Sequence, residues 1–108
     1  MQVSKWNIEA ETGYKPQTTF WEDFSIADRF GLDAIRDTYQ RSMESWKTNH
    51  IYLTELVMVL NWKCWQHNSI DGHQAFMELY SDLFYECREY ALDHLTGEEL
   101  NYFLRTTD

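Results

Sequence analysis

Proline occurs once in this 108-residue chain, glycine four times and cysteine twice. So few turn-formers leave no Gly- or Ser-rich linker, and the chain reads as a single domain, 1–108, built on one hydrophobic core. Two cysteines in a chain of this size are no disulfide scaffold. Cys64 and Cys87 fall on core-facing helix positions, where a free thiol acts as a small hydrophobe. The most apolar run, Leu56–Leu60, is far shorter than the roughly 18 residues a membrane span needs. Residues 1–13, MQVSKWNIEAETG, hold no apolar stretch of the kind a secretory leader carries. A cytoplasmic protein is the expectation. Basic residues are the other scarcity: nine Lys and Arg stand against eighteen Asp and Glu, for a formal net charge of -9. That balance repels phosphate backbones and anionic lipid, so direct nucleic-acid and membrane binding are disfavoured. Its complement is a basic surface on another protein.

The motifs of catalysis are missing as well. There is no Gly-x-Ser-x-Gly elbow, no Gly-rich phosphate loop, no Cys-x-x-Cys pair and no His-Glu-x-x-His. Cys64 and His67 share one helix face, and so do Cys87 and His94. The latter two are separated by two helical turns, about 10 Å of rise, too far to reach one zinc ion at about 2.0–2.3 Å. A metal-dependent enzyme using Cys64, His67 or His94 is therefore the weakest reading. No catalytic residue, metal ligand or cofactor is assigned.

What the chain does have is apolar surface at helical spacing, with 44% hydrophobic and 17% aromatic residues. The fold class expected is all-α: a compact bundle of four to five helices over 20–105, behind an extended N-terminal strap, 1–19. The strap lacks helical periodicity and contains Gly13 and Pro16, with Trp6, Ile8 and Tyr14 as its anchors. Thr19 and Glu22 have the spacing of a capping box for a first helix with an inward stripe of Phe20, Phe24, Ala27 and Phe30, stopped by Gly31. A second helix, capped by Asp33 and running to about Thr48, buries Ile35, Tyr39, Ser42, Met43 and Trp46, with Asp37 and Arg41 paired outside. A third, about Ile51–Asn68, is apolar on two sides. Leu53, Leu56, Val57, Leu60, Cys64 and His67 form one stripe, and Met58, Trp62 and Trp65 gather nearly opposite. Such a helix is usually buried on both sides, with the strap and first helix covering the second patch. Thr96 and Glu99 open a short last helix with Leu100, Phe103 and Leu104 at helical spacing.

The longest amphipathic stretch, Asp71–Leu95, is the one around which the chain reads as organised, with Asp71 and Gln74 at its opening. Phe76, Leu79, Leu83, Cys87, Tyr90, Ala91 and His94 share a broad core face. Glu78, Asp82, Glu86, Glu89 and Asp93 fall beside it within a sector of about 80°. Like charges four apart cost a few tenths of a kcal/mol per pair, and a merely solvating face usually mixes signs. General acid–base chemistry needs a cleft that separates carboxylate pKa values, and an exposed stripe offers none. The ladder is thus the leading candidate for partner binding, to a basic protein surface. The alternative is a hydrophobic docking or self-association patch of Met58, Trp62, Trp65 and Tyr85 in a structural or regulatory protein. Monomer and homodimer both stay open.

Three runs, YKPQTTFWEDFSIADRFG, YLTELVMVLNWKCW and GEELNYFLRTTD, resemble a group of short acidic proteins encoded on plasmids, conjugative elements and phages of Gram-positive and gut bacteria. The resemblance extends from Tyr14 to Asp108 and carries no enzymatic motif. Small acidic proteins of such elements include inhibitors that occupy the DNA- or guide-binding surface of a host defence enzyme. The resemblance therefore implies counter-defence of the anti-restriction or anti-CRISPR type, by mimicry of nucleic acid. The Pro-Gln-Thr-Thr-Phe segment is its most distinctive wording and suggests a specific contact outside the core stripes.

Overall fold

A computed structural model describes residues 13–107 of the chain. Among these, five helices follow an irregular segment, 13–19: α1 Phe20–Phe30, α2 Leu32–Trp46, α3 His50–Asn68, α4 Gln74–His94 and α5 Gly97–Thr107. No strand occurs among the described residues, and the fold is the all-α bundle expected. Trp6 and Ile8, read above as strap anchors, lie outside the described residues. No helix among the described residues is long and apolar enough to cross a membrane.

The helix at the centre is α3, not α4. It packs broadly against each of the other four helices, whereas α4 does so against α2, α3 and α5 and meets α1 through Tyr80, at Phe24 and Asp28. Its two-sided apolar sequence is the cause, because Leu53, Leu56, Val57, Val59 and Leu60 are all fully or almost fully buried. The helix is started by Asn49, whose backbone is extended and whose Oδ1 accepts from the N–H groups of Ile51 at 2.9 Å and Tyr52 at 3.3 Å. Two of the donors that a helix N-terminus leaves unsatisfied are paired in this way.

Around α3 the expected stripes mostly form, with local differences. In α1, Phe20, Trp21, Phe24 and Ala27 are buried, but Phe30 is 77% exposed. At about 100° per residue Phe30 falls roughly 80° off that stripe, and the helix stops there. The Thr19–Glu22 capping box does not form. Instead the Thr18 hydroxyl accepts from the Phe20 N–H at 3.1 Å, and the Thr19 hydroxyl donates to Asp23 at 2.8 Å. Gly31, at φ 111° and ψ -172°, adopts a conformation open essentially to glycine alone and lets α2 start one residue later. Asp33 is therefore inside the first turn rather than at the cap, 3.4 Å from Arg36. Ile35, Tyr39, Ser42 and Trp46 are buried, Met43 is half-buried, and the Asp37–Arg41 pair closes at 2.9 Å.

In α4, Leu79, Leu83, Cys87 and Ala91 face the core together with Tyr80, while Phe76 and Tyr90 are half-buried. His94 is exposed, its ring stacked on Tyr90 with centroids 3.9 Å apart and its Nδ1 2.9 Å from the Tyr90 carbonyl. The helix begins after His73 rather than at Asp71. In α5, Phe103 is fully buried and Leu100 and Leu104 are packed against the core.

Candidate functional site

The α4 helix holds all five carboxylates of the ladder, Glu78, Asp82, Glu86, Glu89 and Asp93, exposed along one edge. Their span is about 22 Å at 1.5 Å of rise per residue. Elsewhere in the bundle some acidic side chains have cations, Asp33 with Arg36, Asp37 with Arg41 and Asp28 with Lys63, whereas Glu22, Glu44, Asp71 and Glu98 have none within 4.0 Å among the described residues. Among the described residues, no ladder carboxylate lies within 4.0 Å of a Lys, Arg or His nitrogen. Glu78 accepts only a neutral bond, from Gln74 Nε2 at 3.0 Å. Glu86 acts on the buried Tyr39, whose phenol is pushed well above its usual range by burial first and by Cys87 and Glu86 next. Glu98 and Glu99, also exposed, follow at the start of α5.

The second candidate surface is divided. Met58 and Trp62 are half-buried and line a groove of about 430 Å³ together with Tyr14, Trp21, Val57 and Phe84. Both the irregular segment, through Tyr14, and α1, through Trp21, thus reach this patch. Trp65, with its ring 5.5 Å from that of Trp62, remains 65% exposed, and Tyr85 remains 59% exposed. The structure does not gather the four residues into one open patch.

Two buried polar centres had no signal in apolar periodicity. The first is Glu55, fully buried in the middle of α3. Its Oε1 accepts from the Tyr14 hydroxyl at 3.0 Å and the Gln17 N–H at 2.8 Å. Its Oε2 accepts from the Thr18 N–H at 3.2 Å and the Thr18 hydroxyl at 2.5 Å. An ionised carboxylate is an acceptor only, and four donors occupy the capacity of both oxygens. This is the contact that the Pro-Gln-Thr-Thr wording makes, and it is made within the chain. Burial, followed by the Glu55 charge, raises the Tyr14 phenol well above its usual range.

The second centre joins three helices at Asp28 of α1. Its carboxylate receives the Tyr80 hydroxyl of α4, while from α3 the Lys63 ammonium and the His67 Nε2 approach at 2.5 and 3.2 Å. Lys63 also donates to Gln66 at 3.0 Å. The His67 ring lies nearly parallel to both Phe76 and Tyr80, with centroids 5.0 and 5.4 Å away, and its Nδ1 is 2.9 Å from Nδ1 of His73. Burial, the largest influence, lowers the His67 pKa from 6.5; Asp28 pulls it up, and Lys63 and His73 push it down. Acid, base and cation stand together here, but each is directed at another protein group, so the cluster ties α1, α3 and α4 together.

The two cysteines do not join either centre. Cys87 is fully buried, and Cys64 is half-buried with its thiol 3.5 Å from the Met77 carbonyl. Burial pushes both thiols upward, Cys87 strongly, so neither has the lowered pKa of a reactive nucleophile. No group of three or more His, Cys, Asp or Glu placed to hold a metal ion occurs among the described residues. Compared with protein-family models, with curated proteins and with solved structures, the chain matches none.

Proposed function

We propose that this chain is a non-catalytic binding protein of the cytoplasm whose α4 acidic edge docks on a positively charged surface of another protein. The observation that carries the reading is the run of five exposed carboxylates, Glu78, Asp82, Glu86, Glu89 and Asp93, along one edge of α4, with no Lys, Arg or His nitrogen within 4.0 Å among the described residues. In the most concrete form, a mobile-element protein occupies the nucleic-acid groove of a host defence protein, which accords with the resemblance of the chain to small acidic proteins of such elements. Along the ladder one charge recurs on average about every 5.6 Å, against about 3.4 Å per phosphate on one DNA strand. Such spacing suits a short basic strip rather than the footprint of a duplex.

Capture from a host lysate, with wild type and with the Asp82→Lys, Glu86→Lys double variant, tests the reading. The expected partner is a nucleic-acid-binding protein that is released by salt, competed off by its own nucleic acid and lost on the double variant. Retention of the partner by the double variant at undiminished strength overturns the assignment. A second reading, self-association or docking through aromatic side chains, is favoured by the 65% exposure of Trp65 and the 59% exposure of Tyr85. Sedimentation separates the two, since a dimer that persists in high salt and dissociates on Trp65→Ser supports the aromatic surface. A strict monomer removes self-association.

A further inference from the structure

The turn between α3 and α4 ends at His73, whose Nδ1 faces Nδ1 of His67 at 2.9 Å. A hydrogen bond between two imidazole nitrogens requires a proton on one and a lone pair on the other. The proton positions follow from the surroundings. On its far side His67 presents Nε2 to the Asp28 carboxylate at 3.2 Å, and a carboxylate accepts, so Nε2 carries hydrogen and Nδ1 is left as the acceptor. The shared proton therefore belongs to Nδ1 of His73. A proton placed on Nδ1 of His67 while Nδ1 of His73 keeps its own sets two N–H groups head to head, and the bond is lost.

We propose that the His67–His73 pair is a proton-operated latch, fastening the α3–α4 turn and the first turn of α4 to the core until His67 gains its second ring proton. The groups facing the pair are Asp28 from α1, Lys63 from α3 and Tyr80 from α4, with the Phe76 ring of α4 within 5.3 Å of both imidazoles. Asp28 retains a protonated His67, while His73 stands at the positive end of the α4 helix, which disfavours added positive charge beside it, so His73 is the side that leaves. Three bonds leave with it or weaken: the Nδ1 contact, the His73 N–H to the Ile70 carbonyl at 3.2 Å, and the Met77 N–H to the His73 carbonyl at 3.0 Å. Because burial holds the His67 pKa below 6.5, the latch is closed at neutral pH and opens on acidification. The latch does not depend on what the acidic edge binds.

Amide hydrogen exchange at pH 7.5, 6.5 and 5, corrected for intrinsic chemistry, tests this on the full chain, with the His67 ring followed by its C2–H resonance and the Leu60 amide reporting the core. In wild type the protection of the His73 and Met77 amides should fall at least tenfold as His67 titrates, while Leu60 holds. His73→Gln, whose neutral amide can donate to Nδ1 of His67 or turn its oxygen to accept from it once protonated, should change less than twofold over the same range. The proposal is overturned by wild-type protection that stays constant through the His67 titration, by the same decline in His73→Gln, or by a parallel decline at Leu60.

Discussion

Glu55 illustrates how a single buried charge can organise a chain terminus. Replacing a carboxylate oxygen by an amide turns an acceptor into a donor, which at Glu55 would confront either the Tyr14 hydroxyl and Gln17 N–H or the two donors of Thr18. Leaving buried donors unsatisfied costs about 1–3 kcal/mol each, so Glu55→Gln should lower the stability by about 2–4 kcal/mol in urea unfolding, although the two side chains are nearly isosteric. A change below 0.5 kcal/mol would show that the clamp contributes little. This residue was not legible in the sequence, because apolar periodicity marks faces by the residues that dislike water and is silent on a polar side chain buried by partners far along the chain. The same holds for Asp28, Lys63 and Tyr80. The distinctive segment that meets Glu55 was legible, but not its target.

At the scale of the element, α1 and α4 show where pattern succeeds and where it fails. The stripes Phe20–Phe24–Ala27 and Leu79–Leu83–Cys87–Ala91 are buried as their spacing implies. Phe30 and His94 are not: Phe30 points about 80° off its stripe, and His94, at the end of α4, stacks on Tyr90 of its own helix. The joint between α1 and α2 is set by the Gly31 backbone, and a Cβ built there meets nothing within 4 Å. Gly31→Ala should therefore cost only the backbone strain, about 1–2 kcal/mol, and leave the circular dichroism spectrum of the native protein unchanged. On α4, the ladder sets like charges four apart, and Asp82 has such a neighbour on either side. Asp82→Lys converts both repulsions into attractions, and a rise in stability of about 0.5–1 kcal/mol is expected from thermal or urea unfolding. If that edge is the binding surface, the same variant gains stability and loses its partner.

For the whole molecule, the charge balance and the central place of α3 act in opposite directions. Nine more acidic than basic residues push outward on a bundle that α3 holds together from within. Screening weakens that self-repulsion, with a Debye length of about 10 Å at 0.1 M salt. The melting temperature should thus rise between 10 mM and 0.5 M sodium chloride, whereas attraction to a basic partner should fall over the same range. A melting temperature that drops with salt would mean that internal ion pairs outweigh the repulsion. The central role of α3 was partly legible: two apolar sides implied burial on both, and the length of α4 drew attention away from it. Length measures how far a helix reaches, whereas the number of apolar sides measures how many neighbours it can hold.

The Glu55 clamp also decides where this bundle ends as a unit of folding. Helical structure begins at Phe20, and a fragment cut there would look complete by its helices. It would nonetheless contain a carboxylate in the middle of its central helix, stripped of Tyr14, Gln17 and Thr18. The autonomous unit therefore begins no later than Tyr14, and the boundary is set by a hydrogen-bond acceptor rather than by the first turn of a helix.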